Sequence, residues 1–217
     1  CHVGVPRFGT AEDALAVLDL YDVDKVVFVL GPGVPDYRTL FDAMRDYPDR
    51  VRGVGIPFGD TARQVREVVE LQLRAGVLGL RVEPRALLSY PDIMTALGER
   101  GRWLYAIGAA SSSMLTRALL NWLEAYPEAR IAAPHFLRRQ PLPTDGRDYG
   151  PILDLVAHPR FYPIFSRHGG VGSRRSYPHP DLLDWVRDVI EQAGWDHILW
   201  GSEYPVYHWR NETMPTV

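Results

Sequence analysis

The feature that most constrains the fold of this chain is a regular alternation of short apolar runs with longer amphipathic stretches. Eight runs are of strand length and rich in valine, isoleucine and aromatic residues. They cover residues 1–5, 25–30, 51–57, 78–83, 103–108, 130–135, 161–167 and 198–200. This pattern predicts eight β-strands.

Seven helix-like segments lie between these runs. The first follows a capping signal at residues 10–13, and the others cover 36–47, 61–75, 91–100, 114–126, 149–157 and 180–194. Strands and helices that alternate in this way predict an α/β fold, a parallel (β/α)8 TIM barrel. A doubly wound open sheet is the alternative, but residues 5–9 after the first run lack its glycine-rich phosphate loop.

The length bounds the domain organisation. A chain of 217 residues suits one domain, 1–217, whereas a β/α barrel typically contains about 250 residues. The first run begins at Cys1, and few residues follow the eighth run. We therefore expect a single barrel truncated at both ends, without the helix that follows the eighth strand.

The composition excludes several classes of protein. The net charge is −3, which gives no reason to expect a nucleic acid or an acidic membrane as partner. Cys1 is the only cysteine, so an intrachain disulfide cannot form. No apolar run approaches the length of a membrane span, and no leader precedes Cys1. These observations predict a cytoplasmic protein that acts on a small molecule.

The basic residues exclude two kinds of catalysis. Lys25 is the only lysine among 24 basic residues, and it lies where the second predicted strand begins. Schiff-base aldolases and pyridoxal-phosphate enzymes need an amine at the active site. We therefore expect the protein to belong to neither class of enzyme.

Polar side chains gather at the ends of the predicted strands, where barrels carry their active sites. The strand-end residues are His2, Arg81, Glu83, His135, Ser166, Arg167, His168, Ser202 and Glu203. The run that ends at residues 106–108 offers no titratable group. Two histidines, a carboxylate and two arginines on one rim indicate an active site. Four other histidines are interpreted as structural: His158, His179, His197 and His208.

Four segments of the sequence carry motifs typical of one family. Residues 198–205 read ILWGSEYP, residues 129–135 read ARIAAPH, residues 79–81 read GLR, and residues 47–53 read YPDRVRG. In their order and spacing over nearly the whole chain, these segments resemble the amidohydrolase-related family of the amidohydrolase superfamily. The resemblance implies a TIM barrel that hydrolyses carbonyl-centred bonds.

Three departures from the family pattern concern its metal site. Of the histidine pair on the first strand only His2 is present, and Glu203 replaces the aspartate after the eighth strand. The histidine of the fifth strand is absent near residues 106–108. This last departure resembles the lactonase-like branch, some members of which hydrolyse without a metal. Two kinds of site stay open: one that holds a divalent metal, expected to be zinc, and one without a metal.

The resemblance implies a hydrolase acting on a lactone, ester or amide of a small carboxylated compound. Glu203 is expected to activate water, and His2 and His135, alone or through a metal held with Glu203, to polarise the carbonyl. Four side chains are expected to bind the substrate carboxylate: Arg81, Arg138, Arg167 and His168. For Arg81, an ion pair with Glu83 or Asp24 is the structural alternative.

Two other functions stay open from the sequence. One is a metal-dependent decarboxylase of the same superfamily, and the other is a catalytically silent barrel that binds a ligand. A homo-oligomer is also open, since exposed tryptophans at positions 122, 195 or 209 could join an interface.

Overall fold

The described part of the chain contains seven short β-strands. The computed structural model describes residues 10–31, 37–83, 90–109, 112–137, 150–166, 173, 175–176 and 178–204. The strands in these ranges are β1 (Val26–Val29), β2 (Val51–Gly55), β3 (Gly79–Val82), β4 (Trp103–Ala106), β5 (Arg130–Ala133), β6 (Phe161–Ser166) and β7 (Leu199–Gly201). They confirm seven of the predicted strands. The other predicted strand, residues 1–5, lies outside the described residues.

Helices alternate with these strands. They are α1 (Ala11–Asp19), α2 (Tyr37–Asp46), α3 (Ala62–Arg74), α4 (Pro91–Glu99), α5 (Ser113–Ala125), α6 (Gly150–Val156) and α7 (Leu183–Ala193). Short 3-10 turns cover His135–Leu137, Pro180–Leu182 and Trp195–His197. The strand pairs β1–β2, β2–β3, β4–β5, β5–β6 and β6–β7 are all parallel. Parallel strands that alternate with helices in this order confirm the predicted β/α barrel class.

Side-chain caps explain where three of the helices begin. The Thr10 hydroxyl accepts a hydrogen bond from Asp13 N at 3.1 Å, which confirms the predicted capping signal before α1. Thr61 and Gln64 form a capping box at the start of α3. Ser112 accepts from the backbone N–H of Leu115 at the start of α5. Each cap satisfies a backbone donor that the helix itself leaves without a partner.

The helices are short compared with a membrane-spanning helix. The two longest in the described ranges, α3 and α5, contain 13 residues each, whereas a span needs about 20. Within those ranges no helix is long and apolar enough to cross a membrane.

The chain divides into two compact units, the first of which combines Cys1–Arg81 with Ser202–Val217. In the described part of this unit, β1 pairs with β2 and β2 with β3. The amide of Gln72, fully buried in α3, accepts a hydrogen bond from Ile56 N and donates one to Ile56 O, each at 2.9 Å. A Cβ atom on Gly55 would lie 1.8 Å from the Gln72 oxygen, so a glycine is needed at the end of β2.

The second unit comprises Val82–Gly201 and carries strands β4 to β7. Leu104 lies beside Ile131 in the register of β4 and β5, and Ile131 lies beside Phe161 on β6. All three side chains are completely buried. Because neighbours in register point to the same face of a sheet, they form one apolar layer that aligns the carboxyl ends of β5 and β6.

Trp122 corrects one expectation from the sequence. Its side chain is buried in the second unit, and its indole N–H donates to Met94 O at 2.9 Å. It is therefore unavailable to an interface, whereas Trp195 is 75% exposed. Position 209 lies outside the described residues.

Candidate active site

A left-handed turn carries His135 away from the end of β5. His135, Phe136 and Leu137 have φ values of 60°, 45° and 66°. Three consecutive residues other than glycine rarely adopt this conformation, because the Cβ atom crowds the following carbonyl. Such strain persists only where the surrounding structure holds it, and it often marks functional sites.

Two contacts hold this turn in place. The indole N–H of Trp185, on α7, donates to Phe136 O at 3.0 Å in a buried position. The ring of Phe136 meets the ring of Phe165, on β6, edge to face with centroids 5.1 Å apart. Side chains from α7 and β6 therefore fix the backbone next to His135.

Ser166, the last residue of β6, contacts His135 twice. The Ser166 Oγ accepts a hydrogen bond from His135 N at 3.2 Å and lies 3.2 Å from His135 Nδ1. Ser166 is 5% exposed, whereas the His135 side chain is partly exposed. A Cβ atom on Gly201 would lie 3.0 Å from the Ser166 Cβ, so the glycine on β7 leaves room for this pair. The Nδ1 edge of the His135 ring is thus held against the end of β6.

Glu203 lies in the first unit, just after β7. The Ser202 hydroxyl accepts a hydrogen bond from Tyr204 N at 3.2 Å, and Glu203 lies at the centre of this turn with φ 54°. Its side chain is 7% exposed. Burial and the negative charge of Asp13 raise the pKa of the Tyr204 phenol.

Arg81 lies on β3 in the same unit as Glu203 and is half-buried. Its neighbours on the strand, Leu80 and Val82, are almost completely buried. A guanidinium in such surroundings is suited to bind a carboxylate, because fewer waters compete for its donors.

The structure thus describes three of the predicted site residues: Arg81, His135 and Glu203. The others, His2, Arg138, Arg167 and His168, lie outside the described residues. Ser166 is the functional candidate that the sequence analysis missed, since it appeared there only as one strand-end polar residue among many. The signal that could have identified it is its position at the end of the strand next to that of His135.

The described residues do not fit a metal centre by themselves. A catalytic zinc ion usually has three protein ligands. Among the residues that the structure describes, no three histidine, cysteine, aspartate or glutamate side chains form a group able to hold a metal. The Nδ1 atom of His135 faces Ser166, and β4 ends at Ala106 with no histidine.

One curated relative is an enzyme of known activity. The L-fucono-1,5-lactonase of Burkholderia ambifaria is 33% identical over 95 residues, which cover 41% of this chain and 31% of the lactonase. The aligned part thus spans about a third of that relative.

Two solved structures share the fold. A protein of Pseudomonas putida assigned as a 2-pyrone-4,6-dicarboxylic acid hydrolase gives a TM-score of 0.67 at 20% identity, covering 94% of this chain and 81% of that one. A dihydroxybenzoic acid decarboxylase of Polaromonas, with manganese and 2-nitroresorcinol bound, gives a TM-score of 0.58 at 14% identity. The match covers 88% of this chain and 74% of that one.

The sequence profile of one family covers nearly the whole chain. The profile described as amidohydrolase matches residues 4–215. The sequence segments that resemble this superfamily, the parallel β/α order and the solved structures agree with that match. The chain therefore belongs to the amidohydrolase family.

Proposed function

We propose that this chain hydrolyses a lactone or related ester of a small carboxylated compound. The observation that carries the proposal is the double contact of Ser166 with His135 at the carboxyl end of two parallel strands, where β/α barrels carry their active sites. The similarity to a lactonase, and to a protein assigned as a pyrone dicarboxylate hydrolase, supports the choice of substrate class.

His135 is proposed to stabilise the oxyanion. When water adds to the lactone carbonyl, negative charge develops on the carbonyl oxygen. A ring N–H that is already in position stabilises this charge without having to reorganise during the reaction. The left-handed turn and Ser166 provide that positioning.

Glu203 is proposed to be the general base. Its carboxylate takes a proton from the attacking water as the water oxygen bonds to the carbonyl carbon. The ring C–O bond then breaks, and the leaving alkoxide takes up the proton, so the product is an open-chain hydroxy acid. The low exposure of Glu203 supports this role, because the surrounding protein shields its carboxylate from bulk water.

The substrate's carboxylate is proposed to bind Arg81, together with Arg138, Arg167 and His168. A guanidinium forms two parallel hydrogen bonds to a carboxylate, which fixes the ligand's orientation as well as its position. His2 is proposed to assist His135 at the carbonyl oxygen.

A decarboxylase is the second candidate function. The similarity to the manganese-bound dihydroxybenzoic acid decarboxylase favours it, although that similarity concerns the fold alone. Decarboxylation in that class would require a divalent metal, for which His2, His135 and Glu203 are the proposed ligands.

A substrate panel with product analysis tests the proposal. Sugar-acid 1,4- and 1,5-lactones, pyrone carboxylates and dihydroxybenzoates are incubated with the purified chain, and the products are identified by mass. We expect a lactone to gain one water, and His135→Gln to reduce the rate about 10²–10³-fold. The exposed variant Gln192→Glu, on α7, serves as the control and should keep the wild-type rate.

Three outcomes contradict the proposal in different ways. Loss of carbon dioxide without hydrolysis identifies the decarboxylase. Thermal stabilisation by a panel compound without turnover identifies a binding protein. Hydrolysis that persists unchanged in His135→Gln rejects the proposed site while leaving the reaction class in place.

A further inference from the structure

We infer that Ser166 is a positioning residue that holds His135 in the tautomer protonated at Nε2. The inference rests on the proposed function for its catalytic meaning, whereas the tautomer itself can be measured without any substrate. It assigns a role to a residue that neither the sequence motifs nor the comparisons single out.

The hydrogen bonds of the Ser166 hydroxyl carry the inference. A hydroxyl has one proton to donate and two lone pairs that accept. The His135 backbone N–H can only donate, so at 3.2 Å it occupies one lone pair of Ser166 Oγ. Among the described residues, the other hydrogen-bond partner of this hydroxyl is His135 Nδ1, also at 3.2 Å.

Burial decides the direction of the second bond. Ser166 is 5% exposed, so its own proton needs an acceptor within the protein. If Nδ1 carried a proton, Ser166 Oγ would receive two donors while its own proton had no acceptor in this pair. If Nδ1 is unprotonated, the hydroxyl donates to it and every group of the pair is satisfied. The ring proton of the neutral imidazole then lies on Nε2.

The surrounding structure supports the geometry of this pair from two sides. The turn at His135 is fixed by the bond from Trp185 Nε1 to Phe136 O and by the packing of Phe136 on Phe165. Ser166 lies on the same strand as Phe165, one residue further along. The backbone donor and the ring of His135 are therefore both held at fixed positions relative to one hydroxyl.

The tautomer determines what His135 can do. A neutral ring protonated at Nε2 offers a hydrogen-bond donor, whereas metal coordination through Nε2 requires the lone pair of that atom. Ser166 thus favours a donor to a developing oxyanion over a metal ligand. The hydroxyl does in this chain what a second hydrogen-bond partner commonly does for functional histidines, namely select one tautomer.

Nitrogen NMR of the full chain tests the inference directly. Protein labelled with ¹⁵N-histidine is measured at about pH 8, where an imidazole of ordinary pKa is neutral. His135 is assigned by the signal lost in His135→Gln. We expect its Nε2 to show the shift of a protonated nitrogen and its Nδ1 that of an unprotonated one. A protonated Nδ1 in the wild type overturns the inference.

Two variants separate tautomer selection from general stabilisation. Ser166→Ala should give His135 nitrogen shifts that are averaged between the two tautomers. Thr116→Val removes another fully buried hydroxyl, one that donates to Ala109 O and Ser112 O, and should leave the His135 shifts unchanged. Unchanged shifts in Ser166→Ala, or equal changes in both variants, reject the role of Ser166.

Kinetics link the tautomer to the proposed function. On a lactone that the chain hydrolyses, Ser166→Ala should lower kcat about tenfold with little change in KM, because an interaction made in the transition state is weakened. If the NMR result holds and no lactone is hydrolysed, the proposed function fails and the tautomer assignment stands. If lactones are hydrolysed and Nδ1 is protonated, the assignment alone fails.

Discussion

At the scale of single residues, the site depends on contacts that link distant parts of the sequence. Ser166 and His135 are 31 positions apart, yet two hydrogen bonds connect them. His135 was predicted because it ends an apolar run and matches a family motif. Ser166 was named only as a strand-end residue, and its contact with His135 was not predicted, because that contact depends on the register of β5 and β6 and on a left-handed turn that residues other than glycine seldom adopt. No local pattern in the sequence predicts such a turn.

A second histidine gives a prediction of pH dependence. Burial lowers the pKa of His158 below its usual 6.5, and the charge of Arg160 acts in the same direction. Its Nδ1 accepts a hydrogen bond from Arg160 N at 3.1 Å, which requires that nitrogen to be unprotonated. Below pH 6.5 the unfolded chain therefore takes up a proton more readily than the folded chain at this position. The stabilising contribution of the neutral ring is full above pH 6.5 and is lost as the pH falls through the folded-state pKa.

We expect His158→Gln to reduce this dependence on pH. Urea unfolding at pH 5 and pH 7.5 should show a smaller difference in unfolding free energy for His158→Gln than for the wild type. A difference that is equal or larger in the variant contradicts the role assigned to His158.

At the scale of the elements, the strands and helices were largely predictable and their exact ends were not. The apolar run at residues 198–200 became β7, which lies one residue further along at Leu199–Gly201. The segment 114–126 became α5, Ser113–Ala125, because the Ser112 hydroxyl caps the helix one residue earlier. Apolar periodicity reports which residues face the core, whereas the ends are set by individual caps.

The end of α5 shows how a residue distant in sequence stabilises an element. The Arg160 guanidinium donates to Tyr126 O at 2.7 Å, to Ala129 O at 3.1 Å and to Leu123 O. These carbonyls lie at the end of α5 and in the turn that follows it, where the helix supplies no donors. One arginine before β6 therefore fixes the connection from α5 to β5.

We expect Arg160→Met to lower the unfolding free energy by about 2 kcal/mol, because the three backbone carbonyls lose their charged hydrogen-bond donor. The matched variant Arg187→Met removes an exposed arginine whose ion pair with Asp184 spans 3.4 Å. It should change the free energy by no more than about 0.5 kcal/mol. Equal effects of the two substitutions in chemical denaturation contradict the capping role.

At the scale of the whole molecule, the alternation of apolar runs and amphipathic segments was enough to predict the fold class. The family profile over residues 4–215 and the TM-score of 0.67 agree with that prediction. The substrate could not be predicted with the same certainty, because one barrel fold supports many reactions and the loops at its rim decide among them. Two of the predicted substrate-binding residues, Arg138 and Arg167, lie outside the described residues.

The measurement that tests the central claim most directly is the rate of lactone hydrolysis by the wild type and by Glu203→Gln, with metal content determined in the same samples. We expect Glu203→Gln, folded normally, to lose about 10²–10⁴-fold. Treatment with a chelator followed by added zinc or manganese separates the two forms of the site: a rate that falls and returns assigns carbonyl polarisation to a metal, and an unchanged rate assigns it to the histidines alone. Full turnover by Glu203→Gln contradicts the general base.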